Sequence, residues 1–109
     1  MIINEVIQAI HPLQVIGMSD NLQSFDIRHL LTDSRQLGSE PQHTLFFAFK
    51  TEKNDGAKYI FQLAKRGVKA FVLEKNSLNQ MVQTTQLDQL VFIVVDSSLA
   101  ALQSLAAYK

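Results

Sequence analysis

Apolar positions recur along the chain with two periods, and they divide it into short helices and strands. Val6, Ile7 and Ile10 form one stripe over Ile3 to Ile10, which predicts a short helix with Asn4 as a candidate cap. His11-Pro12 ends that helix, because a residue preceding proline is driven out of the helical region. Leu13 to Ile16 then predicts a strand closed by Gly17, and the polar stretch Ser19 to Ser24 a loop. Phe25 to Thr32, with Ile27, Leu30 and Leu31, predicts a strand leading into Asp33-Ser34-Arg35. Gln36 to His43, holding Gly38 and Pro41, is a second loop.

Thr44 to Phe49 is continuously apolar after its first residue and rich in aromatics, the pattern of a strand buried on both faces. The polar turn Lys50 to Gly56 precedes an amphipathic helix over Ala57 to Arg66, whose inner face carries Ile60, Leu63 and Ala64. Gly67 stands where a helix C-terminal glycine belongs. Val68 to Leu73 is the next strand, and strand–helix–strand implies a parallel, right-handed crossover. Asn76 to Gln89 is polar with scattered Leu78, Met81, Val82 and Leu87, a short helix and a loop. Val91 to Val95 predicts another buried strand. Asp96-Ser97 then caps a final helix with Leu99, Leu102, Leu105 and Ala106 inward. That helix runs through Ala106-Ala107-Tyr108-Lys109 without a glycine or proline stop, like a pattern cut within an element. The whole predicts one α/β domain with a small mixed, mostly parallel sheet flanked by helices. Its expected buried residues are Phe47, Phe49, Ile60, Leu63, Val72, Ile93 and Val95.

Composition narrows the function classes. At 109 residues, 47% of them hydrophobic and 18% charged, the chain is the size of one domain and too apolar for disorder. Ten basic residues balance ten acidic ones, so no global field holds it to nucleic acid or lipid. The absence of cysteine removes disulfide scaffolds, thiol nucleophiles, zinc–thiolate sites and iron–sulfur clusters. The apolar runs around Leu45–Phe49 and Val91–Val95 fall far short of the ~20 residues that span a bilayer. No Lys or Arg precedes Arg28, so the chain start lacks the charged region of a signal peptide, and a cytoplasmic location is expected.

Candidate chemistry begins with absences. The four glycines stand at 17, 38, 56 and 67, a spacing that permits neither a P-loop nor a dinucleotide-binding fingerprint. His11, His29 and His43 stand singly and read as surface or loop histidines, without metal-ligand spacing. No nucleophile, base and oxyanion donors assemble, so the chain alone is expected to have no catalytic residue. Thr32-Asp33-Ser34-Arg35 follows a strand, where ligands bind in open α/β sheets. The same residues equally make a turn in which Asp33 and Arg35 pair with each other. Glu52-Lys53-Asn54-Asp55-Gly56 precedes a helix, where exposed amides attract anions and Lys53 and Lys58 add charge, yet Asn-Asp-Gly is also an ordinary loop signal. Residues 50–75 carry seven basic and three acidic side chains around Tyr59 and Phe61. That is the composition either of a nucleic-acid patch or of a solvated helix face, and the neutral whole favours the second.

Taken together, Leu31-Thr32-Asp33-Ser34-Arg35, Thr44-Leu45-Phe46-Phe47-Ala48-Phe49-Lys50 and Asn54-Asp55-Gly56-Ala57-Lys58-Tyr59-Ile60 resemble the N-terminal domain of the Mur ligases. Gln62 to Glu74 and Val91 to Asp96 continue the resemblance, which runs from about Ile3 to Lys109. Within the family it is closest to the type that adds D-alanyl-D-alanine to a UDP-N-acetylmuramoyl tripeptide. LLTDSR with TLFFAFKT and NDG is similar to the form fused to an alanine racemase. The resemblance implies that residues 1–109 hold the UDP end of a UDP-N-acetylmuramoyl peptide, with the ATP-binding central domain and the C-terminal domain elsewhere in a longer chain. By the family pattern, uridine contacts fall on Thr32, Ser34, Glu52, Lys53 and Asn54, with Asp33, Arg35, Asp55 and Gly56 supporting the loops. No metal or cofactor is implied for this chain itself. ATP and Mg²⁺ serve the full-length enzyme, and pyridoxal phosphate a fused racemase. The implied partners are the UDP-sugar peptide and the rest of the chain, with neither nucleic acid nor membrane.

The sequence departs from the family at three places. Ala57 stands where a histidine or other polar residue usually follows Asp-Gly, Thr51 where a glycine is common, and the Gly38 to His43 connection is longer than usual. These touch the second loop and leave the first intact. Two other readings share the domain: the ligase adding the third stem-peptide residue, and a free-standing binding module.

Overall fold

The computed structural model describes residues 2–17, 26–49, 59–75 and 90–108. Their strands are β1 (Gln14–Ile16), β2 (His29–Leu31), β3 (Thr44–Phe47), β4 (Ala70–Glu74) and β5 (Val91–Val95). The helices are α1 (Ile3–Ile10), α2 (Ile60–Lys65) and α3 (Ser98–Tyr108). The strands form one sheet in the order β1-β5-β4-β3-β2, parallel throughout except that β1 runs antiparallel to β5. The mixed, mostly parallel α/β sheet expected from the sequence is therefore present. The predicted elements Ser19–Ser24, Lys50–Gly56 and Asn76–Gln89, along with Phe25, Ala57 and Lys58, lie outside the described residues.

The three central strands explain why their sequences are apolar without alternation. Leu45 and Phe47, Ala70 and Val72, and Val91, Ile93 and Val95 join one core with Ile3, Val6, Ala9 and Ile10 of α1 and Ala101 and Leu105 of α3. The alternate residues Phe46, Phe71, Leu73, Phe92 and Val94 join a second core with Ile60 and Leu63 of α2. Both faces are thus covered, as parallel sheets require. In the second core Phe71 stacks on Phe92 at 5.5 Å between ring centroids and meets Phe46 edge-on at 6.3 Å. Of the seven residues expected to be buried, all are buried but Phe49, which is half-buried beyond the end of β3.

Helix ends follow local rules, with two corrections. His11 adopts the left-handed conformation (φ 54°) immediately before Pro12 and closes α1. Asn4, however, is not the cap. The cap position is Ile2, which makes no side-chain cap bond, because Ile2 is tied to Asp26 by an antiparallel bridge and the helix starts directly after it. At the end of α2, Gly67 N–H donates to the Ala64 carbonyl and Val68 N–H to the Leu63 carbonyl, the paired bonds of a Schellman motif, with Gly67 at φ 108°. Those bonds hold Val68 in the helix end, which is why β4 starts at Ala70 rather than Val68. Strand β2 is likewise shorter than expected, since Asp26 pairs with Ile2 and leaves only His29–Leu31 in the ladder with β3. Two short 3₁₀ turns, Ser34–Gln36 and Pro41–His43, stand at the two ends of the Gln36–His43 loop.

The second correction concerns α3. Ser97 caps it, its hydroxyl accepting from Ala100 N–H at 3.2 Å. The buried stripe is Ser98, Ala101 and Leu105, with Leu102 half-buried, while Leu99 is 56% exposed and Ala106 is exposed. Ser98 sets this rotation. Its hydroxyl donates to the Ala48 carbonyl and its N–H to Glu74 Oε2, each at 3.0 Å, so Leu99 is turned about 100° away from the sheet.

Candidate functional site

The parallel pairing of β2 with β3 (Leu30 opposite Leu45, Leu31 opposite Phe46) makes both strands end at one edge of the sheet. Thr32 to Arg35 leaves β2 at that edge, and the chain beyond β3 leaves beside it toward residues 50–58. This juxtaposition is what a site built from both loops needs, and it lies where open parallel sheets carry ligands. Thr32 is exposed on the first loop. The side chain of Ser34 and all of Glu52, Lys53, Asn54, Asp55 and Gly56 lie outside the described residues.

The first loop is held by Asp33. Its Oδ1 accepts from the Arg35 N–H at 3.0 Å and from Arg35 Nε at 3.1 Å, and its Oδ2 accepts from Arg35 Nη2 at 3.0 Å. Gln36 N–H donates to the Asp33 carbonyl at 3.0 Å and completes the turn. The turn reading holds, with an internal ion pair between Asp33 and Arg35, and the loop leaves the sheet at the carboxyl ends of the parallel strands. Hydrogen bonds from the Arg35 side chain and N–H lower the Asp33 carboxyl below its ordinary 3.8. Bonding to Asp33, and then its charge, raises the Arg35 guanidinium.

Strands β4 and β5 finish at the same edge and are laced to α3. Ser98 joins Ala48, just past β3, to Glu74 at the end of β4. Lys75 pairs with Asp96 at 3.3 Å. No local sequence signal announced Ser98, because its partner Ala48 lies 50 residues away. A cleft of about 160 Å³ opens between the end of α1 and the start of α3, lined by His11, Leu13, Asp96, Ser97 and Ser104 among others. It lies at the β1–β5 side of the sheet, and Thr32 is not part of it.

The opposite end of β2 and β3 carries a separate polar cluster. Arg28 Nε donates to Asp26 and its Nη1 to Glu40, both at 2.9 Å, and His29 Nε2 lies 3.0 Å from Glu40 Oε1. His43 Nδ1 lies 2.9 Å from the Asp26 carbonyl. His29 and His43 thus have separate partners and, among the described residues, no group of His, Asp or Glu is arranged to hold a metal. Lys65 and Arg66 are exposed at the end of α2, and no described helix is long and apolar enough to cross a membrane.

Known proteins agree with this architecture. The model of the Mur ligase family, catalytic domain, matches residues 26–109. The fold is similar to two crystal structures of MurF from Acinetobacter baumannii, each with a TM-score of 0.70, 22% identity and 98% of this chain covered. It is equally similar, at a TM-score of 0.70 and 22% identity, to a structure of UDP-N-acetylmuramoylalanyl-D-glutamyl-2,6-diaminopimelate–D-alanyl-D-alanyl ligase from the same organism. This chain spans 20 to 21% of the length of those proteins. No curated protein matches it. With the family model covering most of its length and the sheet and loop placement in accord, the chain belongs to the Mur ligase family.

Proposed function

We propose that the chain is the N-terminal, UDP-sugar-binding domain of an ATP-dependent ligase. That enzyme adds D-alanyl-D-alanine to UDP-N-acetylmuramoyl-tripeptide in cytoplasmic peptidoglycan synthesis. The observation that carries the reading is the placement of two loops at one edge: Thr32–Arg35 and the chain beyond β3 leave adjacent parallel strands side by side. In a Mur ligase chain that edge suits a uracil, which needs a few directed donors and acceptors. Thr32, Ser34 and Glu52 to Asn54 would supply them, with Asp33, Arg35, Asp55 and Gly56 holding the loops. The similarity of the fold to a D-alanyl-D-alanyl ligase supports this specificity over the ligase of the preceding step. ATP and Mg²⁺ would act in the central domain of the longer enzyme, supplying the phosphate that activates the peptide carboxyl for attack by the amine. A fused racemase, if the gene encodes one, would carry its own pyridoxal phosphate.

Titration of the isotopically labelled chain with UDP, followed by NMR, tests the site. Shifts should cluster at residues 32–35 and 52–56. Losing one neutral hydrogen bond is worth about 0.5–1.5 kcal/mol, so Ser34→Ala and Asn54→Ala should each weaken binding several-fold. Shifts concentrated elsewhere would place the nucleotide on another surface. The 109 residues contain no P-loop, so they should show no ATP-dependent ligation alone. Amide formation by the purified chain would overturn that division of labour.

A further inference from the structure

We infer that the outward side of α3, carrying Leu99, Leu102 and Ala106, is the surface on which another domain of the ligase polypeptide packs. The inference rests on the reading of this chain as one domain of a longer ligase, and it assigns the face that meets a neighbouring domain.

The three helices differ in what they turn outward. On α1 the exposed positions are Asn4 and Gln8, and on α2 the described exposed side chains are Gln62 and Lys65. Both have the polar outer side of a helix that covers a sheet. Helix α3 has no such side. None of its eleven residues is charged, in a chain of which 18% is charged. Ser98, Ala101 and Leu105 are buried, yet Leu99, Ala100, Ala106 and Ala107 are exposed beside the uncharged Gln103 and Ser104. A helix that is apolar on every side is one that is covered on every side.

Spacing gathers the larger of these groups. Leu99, Leu102 and Ala106 stand at i, i+3 and i+7, one stripe along the helix. Hydropathy points this stripe inward, and the bonds of Ser98 to Ala48 and Glu74 rotate it away from the sheet. Two apolar sides on one helix call for two contacts. The sheet supplies one of them.

Size selects the occupant of the other. Stable contacts between separate proteins bury about 800 Å² on each partner. An 11-residue helix is about 16 Å long and about 10 Å across, so one side of α3 offers under about 200 Å². Two copies of this chain meeting through α3 alone therefore have too little area to stay together. A covalently attached domain needs far less, because the linkage holds it at an effective concentration on the order of millimolar. The proteins whose fold this chain shares are long enough to supply one, since it spans only 20 to 21% of their length. The stripe offers no ion pair, so the surface that suits it is equally apolar.

The 109 residues contain no cysteine, so one introduced thiol reports each position. Leu99→Cys and Ala106→Cys mark the two ends of the stripe, and Gln62→Cys, exposed on α2, is the control. Each is made in the 109-residue chain and in the full-length ligase, and alkylation by N-ethylmaleimide is followed by peptide mass spectrometry. Positions 99 and 106 should label about tenfold or more slowly in the full-length enzyme than in the chain, with position 62 within about twofold. Equal rates in the two proteins at 99 or at 106, in an enzyme that ligates, would overturn this inference alone. Labelling that slows as the concentration of the 109-residue chain rises would give the stripe to a second copy. Labelling already slow at every concentration would show that the domain covers the stripe itself; either result overturns the inference. A gene that encodes no ATP-binding domain beside this one would instead overturn the ligase reading, and this inference with it.

Discussion

Ser98 and Thr44 are the polar side chains fully buried among the described residues, and both are hydroxyls that donate to a main-chain carbonyl. Thr44 Oγ1 donates to the Glu40 carbonyl and Ser98 Oγ to the Ala48 carbonyl, so the two bonds bracket β3, the strand that delivers the second loop. Removing such a donor leaves a buried acceptor unpaired at a cost of about 1–3 kcal/mol. Ser98→Ala should therefore lower stability by that amount in urea denaturation, and a change below about 0.3 kcal/mol would refute the clamp. Asp33 offers a pH test at the same scale. Its carboxyl is lowered in the folded chain, so its contribution is complete above the unfolded value near 3.8 and disappears as pH falls through the lower folded value. The Arg35 amide resonance should accordingly titrate below pH 3.8, and a midpoint at or above that value would contradict the bonding described. The two cases differ in legibility. Asp33 and Arg35 are two residues apart, so their pairing is written locally, whereas nothing near Ser98 points to Ala48.

Elements form where local and tertiary signals agree, and the helices show what happens where they compete. The α2 terminus was legible to the residue because glycine alone tolerates φ 108° there, and the neighbouring Pro41 side chain would lie 3.2 Å from an added Cβ. Gly67→Ala should thus be destabilising through both strain and crowding. The face of α3 was misjudged because Leu99, Leu102, Leu105 and Ala106 make an acceptable apolar stripe by hydropathy alone. The actual stripe contains a serine and an alanine, which hydropathy ranks low. The serine is bonded and the small Ala101 belongs to the same core as Ala9 of α1. A pair of variants measures the rotation. Leu105→Ala, at a site with no exposure, should cost about 2–5 kcal/mol. Leu99→Ala, on the exposed face, should stay within about 0.5 kcal/mol. Equal losses would mean that α3 sits on the sheet by the hydropathic stripe after all.

At the scale of the whole molecule, β3, β4 and β5 could be read directly because a strand buried on both faces leaves a continuous apolar run. The short edge strand β1 was legible as a strand, but its antiparallel pairing with β5 joins Gln14 to Val94 across most of the chain, and no local pattern encodes that distance. The strand order decides which loops meet, so the candidate site became visible only once β2 was seen beside β3. The same order has a consequence for cooperativity. The two cores contain different helices but alternate residues of the same three strands, so neither face can lose its packing while the other keeps an intact sheet. Leu63 belongs to the α2 face and Leu105 to the α3 face, and both are essentially inaccessible to water. Leu63→Ala and Leu105→Ala should each remove about 2–5 kcal/mol. Each should do so by shifting one denaturation midpoint with an unchanged slope, the signature of a stability change in a two-state unit. Circular dichroism and the two tyrosines' fluorescence should report coincident transitions in both variants. A second transition in either one, or a reduced slope confined to Leu63→Ala, would show that the α2 layer melts separately from the sheet. The loop after β2 would then stand on a surface less rigid than the shared strands imply.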